Sequence, residues 1–272
     1  MWANKTNQRN IKTLKSRGHE FIGPEIGNLK CGEFGIGRIS NSKKIIEYLI
    51  KNLTMFNIFR NKICIVTAGP TIEMIDPIRF ISNRSSGKQG YEIASQLAIS
   101  GAKVTLISGP TNIEPPPNVK FIKIKSAKEM YKKIINISNI DIGFFAAAVS
   151  DFKNKNELKT KLKKKESFNL SLKKNIDILE KIGNNKNKRP KILIGFAAET
   201  GDLSYAKKKL KNKNCDIIVY NKISKENQVF GSDYNKISII SKNEIKSFKK
   251  MTKVNCAKEI LKFVYKLQLT HE

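Results

Sequence analysis

From Lys62 onward the chain alternates short apolar, β-branched runs with stretches of helical period, and this alternation constrains the fold more than any other feature. A run of four to eight residues rich in Val, Ile and aromatics reads as a strand, and an apolar repeat near 3.6 reads as an amphipathic helix. Strands separated by helices build a parallel sheet, because parallel neighbours need a crossover long enough to hold a helix. The strand candidates are KICIVT (62–67), KVTLIS (103–108), VKFIKI (119–124), DIGFFAA (141–147), ILIGFAA (192–198), DIIVYN (216–221) and KISIIS (236–241).

Helices fit between them. GYEIASQLAISG (90–101) closes on a glycine, SAKEMYKKIINI (126–137) carries Ser126 and Glu129 as a capping box, and LSYAKKKLKNK (203–213) is the third. A last helix near 255–267 repeats Cys256, Ile260, Val264 and Leu267 on one face. The expected fold is α/β: a Rossmann-like parallel or mixed sheet with helices on both faces over residues 62–272, preceded by a small irregular N-terminal segment. That segment, residues 1–53, is glycine-rich around EIGNLKCGEFGIGRIS (25–40), continues into a short helical stretch, KKIIEYLIKNL (43–53), and is too small to bury a core alone. TMFNIFRN (54–61) reads as a linker.

Of 272 residues, 52 are Lys or Arg and 23 Asp or Glu, a net charge of +29 that invites a nucleic-acid reading. Only seven of the basic residues are Arg, however, and 27 residues are Asn. Readers of bases favour the bidentate guanidinium fork, so the excess of Lys, Asn and Ile resembles A/T-biased drift over solvated faces, on an enzyme of polyanionic metabolites. Cys31, Cys64, Cys215 and Cys256 show no CxxC spacing and read as reduced thiols. His19 and His271 lie near opposite ends, which removes His-pair metal sites and a Ser-His-Asp triad. No apolar run approaches the ~18 residues of a membrane span; the first acidic residue is Glu20, as in a transit peptide, but the segment before it has no apolar h-region and targeting is not expected. A cytoplasmic location is expected.

The stretch after the first strand, TAGPTIEMIDPIRFISNRSSGKQG (67–90), is the most informative. A strand ending in Ala-Gly-Pro, a long loop, and then Ser85, Ser86 and Gly87 opening a helix would aim backbone N–H groups at an anion. It is not a phosphate-binding P-loop, since Gln89 follows Gly87-Lys88 where a Ser or Thr is required. A glycine-assisted turn without a ligand has the same appearance.

TAGPT, IDPIRFISN and SSGK together resemble phosphopantothenate-cysteine ligase, the second half of the bifunctional bacterial coenzyme A enzymes. The resemblance continues through AAAVSDF (146–152), KLKK (161–164), KNIDIL (174–179), GFAAET (195–200) and FGSDYN (230–235). Two residues depart from the family pattern: Ile176 stands for a proline, and Tyr220 for a small residue before the Asn. Residues 1–53 resemble the closing part of the flavin-dependent decarboxylase that precedes the ligase, including a flap with Cys31 where that family has a proton-donating cysteine. The decarboxylase's histidine and Pro-Ala-Met-Asn segment are absent, so FMN is not expected to bind this chain alone, and Cys31 would act only if another chain completed that half.

The resemblance implies that 4'-phosphopantothenate and cysteine are joined at the expense of CTP, with Mg²⁺, through an acyl cytidylate. CTP cannot be told from ATP on these residues, and the metal ligands are unknown. It assigns Asn83 and Lys161 to catalysis, and Asp151, Lys161, Ile176, Asp177, Ile178, Leu179, Phe196, Lys209 and Lys213 to the nucleotide. Arg79, Asn83, Ala147 and Ala148 are assigned to phosphopantothenate. In this reading Asn83 donates to the acyl oxygen, Lys161 neutralises the triphosphate from a loop able to close, and the two alanines offer backbone groups. Each also has a plainer reading: Asn83 as a turn residue, Lys161 as one solvated lysine of KTKLKKKE (159–166), Asp151 as a cap, Phe196 as core, and Lys209 and Lys213 as ordinary residues of a lysine-rich helix. A homodimer is the family expectation, and a noncatalytic partner of a separate decarboxylase chain or a basic nucleic-acid-binding α/β protein are the alternatives.

Overall fold

The structure, a computed structural model, describes residues 2–29, 32–53, 57–163, 169–223 and 231–269. It divides into two compact units, Met1–Ile58 and Phe59–Glu272.

The first unit is more regular than its glycines suggest. Helix α1 (Lys5–Ser16) starts at Asn4, whose side chain accepts from the Thr6 N–H, and it buries only Ile11. Its sequence shows too few apolar residues to announce a helix. An antiparallel hairpin follows, β1 (Glu25–Asn28) against β2 (Phe34–Arg38), with Ile26 opposite Ile36 and Gly27 opposite Gly35. Helix α2 (Ser42–Leu53) closes the unit.

The second unit runs β3 (Ile63–Ala68), β4 (Ile72–Met74), β5 (Phe80–Ser82), α3 (Lys88–Ile99), β6 (Lys103–Ser108), β7 (Val119–Lys123), α4 (Ala127–Ile135), β8 (Ile142–Phe145) and β9 (Phe152–Asn154). It continues with β10 (Leu172–Lys174), α5 (Ile178–Gly183), β11 (Ile192–Glu199), α6 (Leu203–Asn212), β12 (Ile217–Lys222) and β13 (Tyr234–Asn235). The chain ends in β14 (Ile237–Ser241), β15 (Ile245–Ser247), β16 (Met251–Thr252) and α7 (Lys253–Leu269).

Eight strands form one sheet in the order β7-β6-β3-β8-β11-β12-β14-β15. The first six are parallel, while β14 and β15 add antiparallel at one edge. After β3 the chain moves outward through β6 and β7, then returns across β3 to place β8 on its other side. This 3-2-1-4-5-6 order reverses between β3 and β8, where doubly wound sheets open a crevice at the strand ends.

Strand periodicity divides the core into two faces. Ile65, Ile107, Leu193 and Ile218 pack with Met130 and Ile134 of α4, Ile182 of α5 and Ala206 of α6. On the other face α3 lies against β3, β6 and α7, with Ile93, Leu97, Ile260 and Leu261 fully buried. Gly90 lets α3 approach: a Cβ there would stand 2.6 Å from that of Ala68. Half of the expected capping box of α4 forms: Ser126 Oγ accepts from the Glu129 N–H at 3.3 Å, while Glu129 Oε2 accepts from the Lys125 N–H at 2.9 Å, one residue before the N-cap.

Candidate functional site

A cavity of ≈ 290 Å³ opens at the reversal point, over the C-terminal ends of β3, β8, β11 and β12. Its floor is Thr67 and the Phe145–Val149 backbone, and one wall is the start of α3, Ser85 to Gly90. The other wall is Phe196, Asp151 and the Ile176–Leu179 turn into α5. A larger hollow beside β6 and β7, near Tyr91 and Phe121, lies away from this point and gathers fewer polar groups.

The wall of α3 is built to receive an anion. Gly87, at φ 77°, turns the chain into the helix, and no side chain caps the first turn. Ser85 Oγ accepts the Gly87 N–H instead. The first residues of the helix, Lys88 to Gly90, line the cavity, so the positive end of the helix dipole lies beside it.

The floor is held by Thr67, whose Oγ1 accepts from the Ala147 N–H at 3.3 Å. The Ala148 N–H donates to Gly69 O and its carbonyl accepts from the Thr71 N–H. Both alanines line the cavity, but these N–H groups are committed to the fold, which leaves their small side chains as the feature open to a ligand. Asn83 lies just outside the lining and points its amide nitrogen at Ala148 O and Val149 O, each at 3.1 Å. Two carbonyl acceptors fix the orientation of that amide, since its oxygen could not face them. Both N–H bonds face these carbonyls, and Oδ1 is the side chain's remaining polar atom.

Asp151 lines the cavity, and its backbone carbonyl accepts the Asn175 N–H, tying the strand end to the turn before α5. Asp177 caps α5 through Glu180 N–H at 2.9 Å and pairs with Lys213 Nζ at 2.7 Å. Lys213 also bridges Glu180 at 2.7 Å. Burial alone would depress its ammonium, but the two carboxylates outweigh that and raise its pKa. Lys213 is not among the residues that line the cavity, and its ammonium is paired with Asp177 and Glu180 behind the wall. Lys209 does line the cavity, its Nζ donating to Phe196 O at 3.0 Å.

Arg79 and Lys161 also lie outside the lining. Arg79 turns its guanidinium to Asp76 Oδ2 at 3.2 Å and to Leu162 O at 3.4 Å, while the Leu162 N–H donates to Asp76 Oδ2 at 3.1 Å. The buried Asp76 carboxylate thus clasps the β4–β5 hairpin to the loop carrying exposed Lys161. Backbone N–H groups, that of Arg79 foremost, hold its pKa below the usual carboxylate value despite burial. Cys31 lies outside the described residues, and the other three thiols are free and buried, pushed up to about 12 mainly by desolvation.

Sequence reasoning missed Asn221, Asn235 and Lys253, which complete the cavity beside Lys88. Asn235 Nδ2 donates to Asn221 Oδ1 at 3.2 Å, both side chains being buried. Asn221 ends an apolar strand, a readable signal, whereas Lys253 is one lysine among many until its burial is seen. Among the described residues no group of three or more His, Cys, Asp or Glu could hold a metal ion. No helix among them is long and apolar enough to cross a membrane.

The DNA/pantothenate metabolism flavoprotein C-terminal domain matches residues 59–267. The coenzyme A biosynthesis bifunctional protein CoaBC of Borreliella burgdorferi is 43% identical over 270 residues, covering 97% of this chain and 68% of that protein. Its counterpart in Haemophilus influenzae is 40% identical over 266 residues, covering 96% of this chain and 66% of that protein. The crystal structure of the C-terminal domain of a CoaBC superposes with TM-score 0.67 at 36% identity, over 79% of this chain and 100% of that one. The chain therefore belongs to the DNA/pantothenate metabolism flavoprotein C-terminal domain family, the phosphopantothenate-cysteine ligase part of CoaBC.

Proposed function

We propose that this chain joins 4'-phosphopantothenate to cysteine, with CTP as the activating nucleotide. The observation that carries the reading is one cavity at the sheet's reversal point, where the uncapped start of α3 faces Asp151, Phe196 and Lys209. A carboxylate is a poor electrophile, so it first attacks the α-phosphate of CTP, forming an acyl cytidylate and releasing pyrophosphate. The amine of cysteine then attacks the acyl carbon, CMP leaves with the bonding pair, and the amine's proton is lost to solvent or phosphate.

The residues divide this work. The α3 N–H groups take phosphate oxygens and need no reorganisation as charge develops. Phe196 offers a ring face to the base, and the Ile176–Leu179 turn, with Asp177 fixed by Lys213, shapes the nucleotide wall. Asp151 accepts from a ribose hydroxyl or the cytosine amino group. Asn83 acts as a positioning residue: by holding Ala148 O and Val149 O it sets the surface on which the acyl group rests, and it presents Oδ1 rather than N–H to that group. Arg79 contributes by clasping Leu162, which places Lys161 beside the hairpin, from where it neutralises the triphosphate. Asp151 and Glu199 are the cavity carboxylates that would hold a triphosphate-bound Mg²⁺ or its waters, where the ion would offset phosphate charge.

Residues 1–53 are proposed as the closing part of a decarboxylase domain, followed by a linker at 54–61 and the ligase domain over 62–272. A homodimer is proposed through the ligase domain, supported by exposed Ile78 and Phe80 on the β4–β5 hairpin. A cytoplasmic location follows from the proposed substrates. The test is to supply 4'-phosphopantothenate, cysteine, Mg²⁺ and either CTP or ATP, and to follow pyrophosphate and amide product.

A further inference from the structure

We propose that Asn221 and Gln89 bind the cysteine substrate: the Asn221 amide N–H donates to the cysteine carboxylate, and Gln89 Oε1 accepts from the cysteine amine. The inference rests on the ligase reading and serves the one substrate of that reaction to which no motif assigned a residue. Asn221 lies near the end of β12 and Gln89 in the first turn of α3, and both line the cavity.

The direction of the Asn221 amide follows from its neighbours. Asn235 Oδ1 accepts the Lys236 N–H at 2.9 Å, and only the oxygen of an amide side chain can accept. Asn235 therefore turns Nδ2 toward Asn221 and donates to its Oδ1 at 3.2 Å. That bond fixes the Asn221 amide in turn, since two nitrogens would otherwise face each other. Asn221 Nδ2 is left, and among the described residues it has no acceptor. Asn221 is 6% exposed and lines the cavity, so this donor is held for what enters there.

Gln89 is oriented in the same way. Its Nε2 donates to the Lys253 carbonyl at 3.3 Å, which its oxygen could not face. Among the described residues its Oε1 is the one buried side-chain polar atom without a partner. A buried acceptor left without a donor is costly, and an N–H that arrives with a ligand would complete it. The two amides share one side of the cavity, because Asn235 pairs with Met251, two residues before Lys253.

One neutral donor and one neutral acceptor fit a small ligand that carries an acceptor and a donor of its own. Cysteine attacking the acyl cytidylate is such a ligand, with a carboxylate and a neutral amine on one carbon. A phosphate offers acceptors only and would leave Gln89 Oε1 unpaired. Gln89 takes no proton; it holds an amine N–H and so orients the lone pair. The hydroxyl and amide groups of 4'-phosphopantothenate and the ribose of CTP are the other sources of a donor, and separate KM values tell them from cysteine.

The test measures amide formation by wild type, Asn221→Asp and Gln89→Met with cysteine and with cysteamine, which is cysteine without its carboxylate. Asn221→Asp keeps an oxygen for Asn235 and replaces only the free N–H by an oxygen that repels a carboxylate. Its KM for cysteine should rise about tenfold or more, the scale of one hydrogen bond to a charged group, while the KM values for CTP and 4'-phosphopantothenate stay near those of wild type. Wild type should prefer cysteine to cysteamine, and that preference should collapse in Asn221→Asp, because the lost contact is one that only cysteine makes. Gln89→Met should weaken both amines alike and melt close to wild type, since the orphaned oxygen goes with the amide.

An unchanged cysteine preference in Asn221→Asp, or a rise confined to the KM of CTP or 4'-phosphopantothenate, would overturn the assignment. If Asn221→Asp fails to fold, Gln89→Met decides: wild-type kinetics with both amines would remove the pair. Amide product from wild type with both variants equal to it sinks the assignment alone, whereas no product from wild type sinks the ligase reading and the assignment with it.

Discussion

Asp76 and Asn83 show how single polar side chains fix the entrance of the site. Asp76 accepts the N–H groups of Ile78, Arg79 and Leu162. Because its folded pKa is lowered, the stability it contributes is present above the ordinary carboxylate pKa and is lost as pH falls through the lowered value. Asp76→Asn should therefore melt below wild type at neutral pH, with the gap closing on acidification; an equal gap at every pH would show that charge is not involved. For Asn83→Asp the argument is repulsion, since a carboxylate oxygen would face two carbonyl oxygens now 3.1 Å from the amide nitrogen. The acyl cytidylate should accumulate, visible by mass spectrometry, while amide formation slows about 10²-fold, the scale of losing a preorganised electrostatic group. Wild-type amide rates in that variant would remove Asn83 from the site. Neither geometry was legible in the sequence, where the IDPIRFISN run marked the segment but gave no direction for its side chains.

At the level of elements, strands and helices were legible because their burial is periodic. KVTLIS matches β6 over 103–108, and ILIGFAA matches all but the last residue of β11. The short hairpin β4–β5 and the pair β9–β10 were not, since strands of three residues are too short to display a period. Helix α5 was missed for the same reason, although Asp177 caps it with Glu180 three residues on. The packing of α3 on β3 depends on Gly90, where a methyl group would enter the space of Ala68. Gly90→Ala should cost about 1–3 kcal/mol by overpacking and displace the α3 start from the cavity. Denaturant titration measures the first effect and a raised KM for CTP the second, and a variant unchanged in both would show that this approach has slack.

For the whole molecule, the strand order and its reversal between β3 and β8 bring together residues far apart in sequence. The motifs predicted Asp151, Phe196 and Lys209, which line one cavity, but not Lys253, because nothing in a lysine-rich chain distinguishes a buried lysine from a solvated one. The charge of +29 was legible as a number and not as a function. Its distribution matters here only where Lys88, Lys209 and Lys253 share the cavity. The most direct measurement of the central claim is a coupled assay of pyrophosphate release and amide formation with 4'-phosphopantothenate, cysteine and Mg²⁺. The account predicts stoichiometric pyrophosphate and 4'-phosphopantothenoylcysteine with CTP, at rates that survive moderate salt, whereas absence of both products with CTP and ATP alike would contradict it.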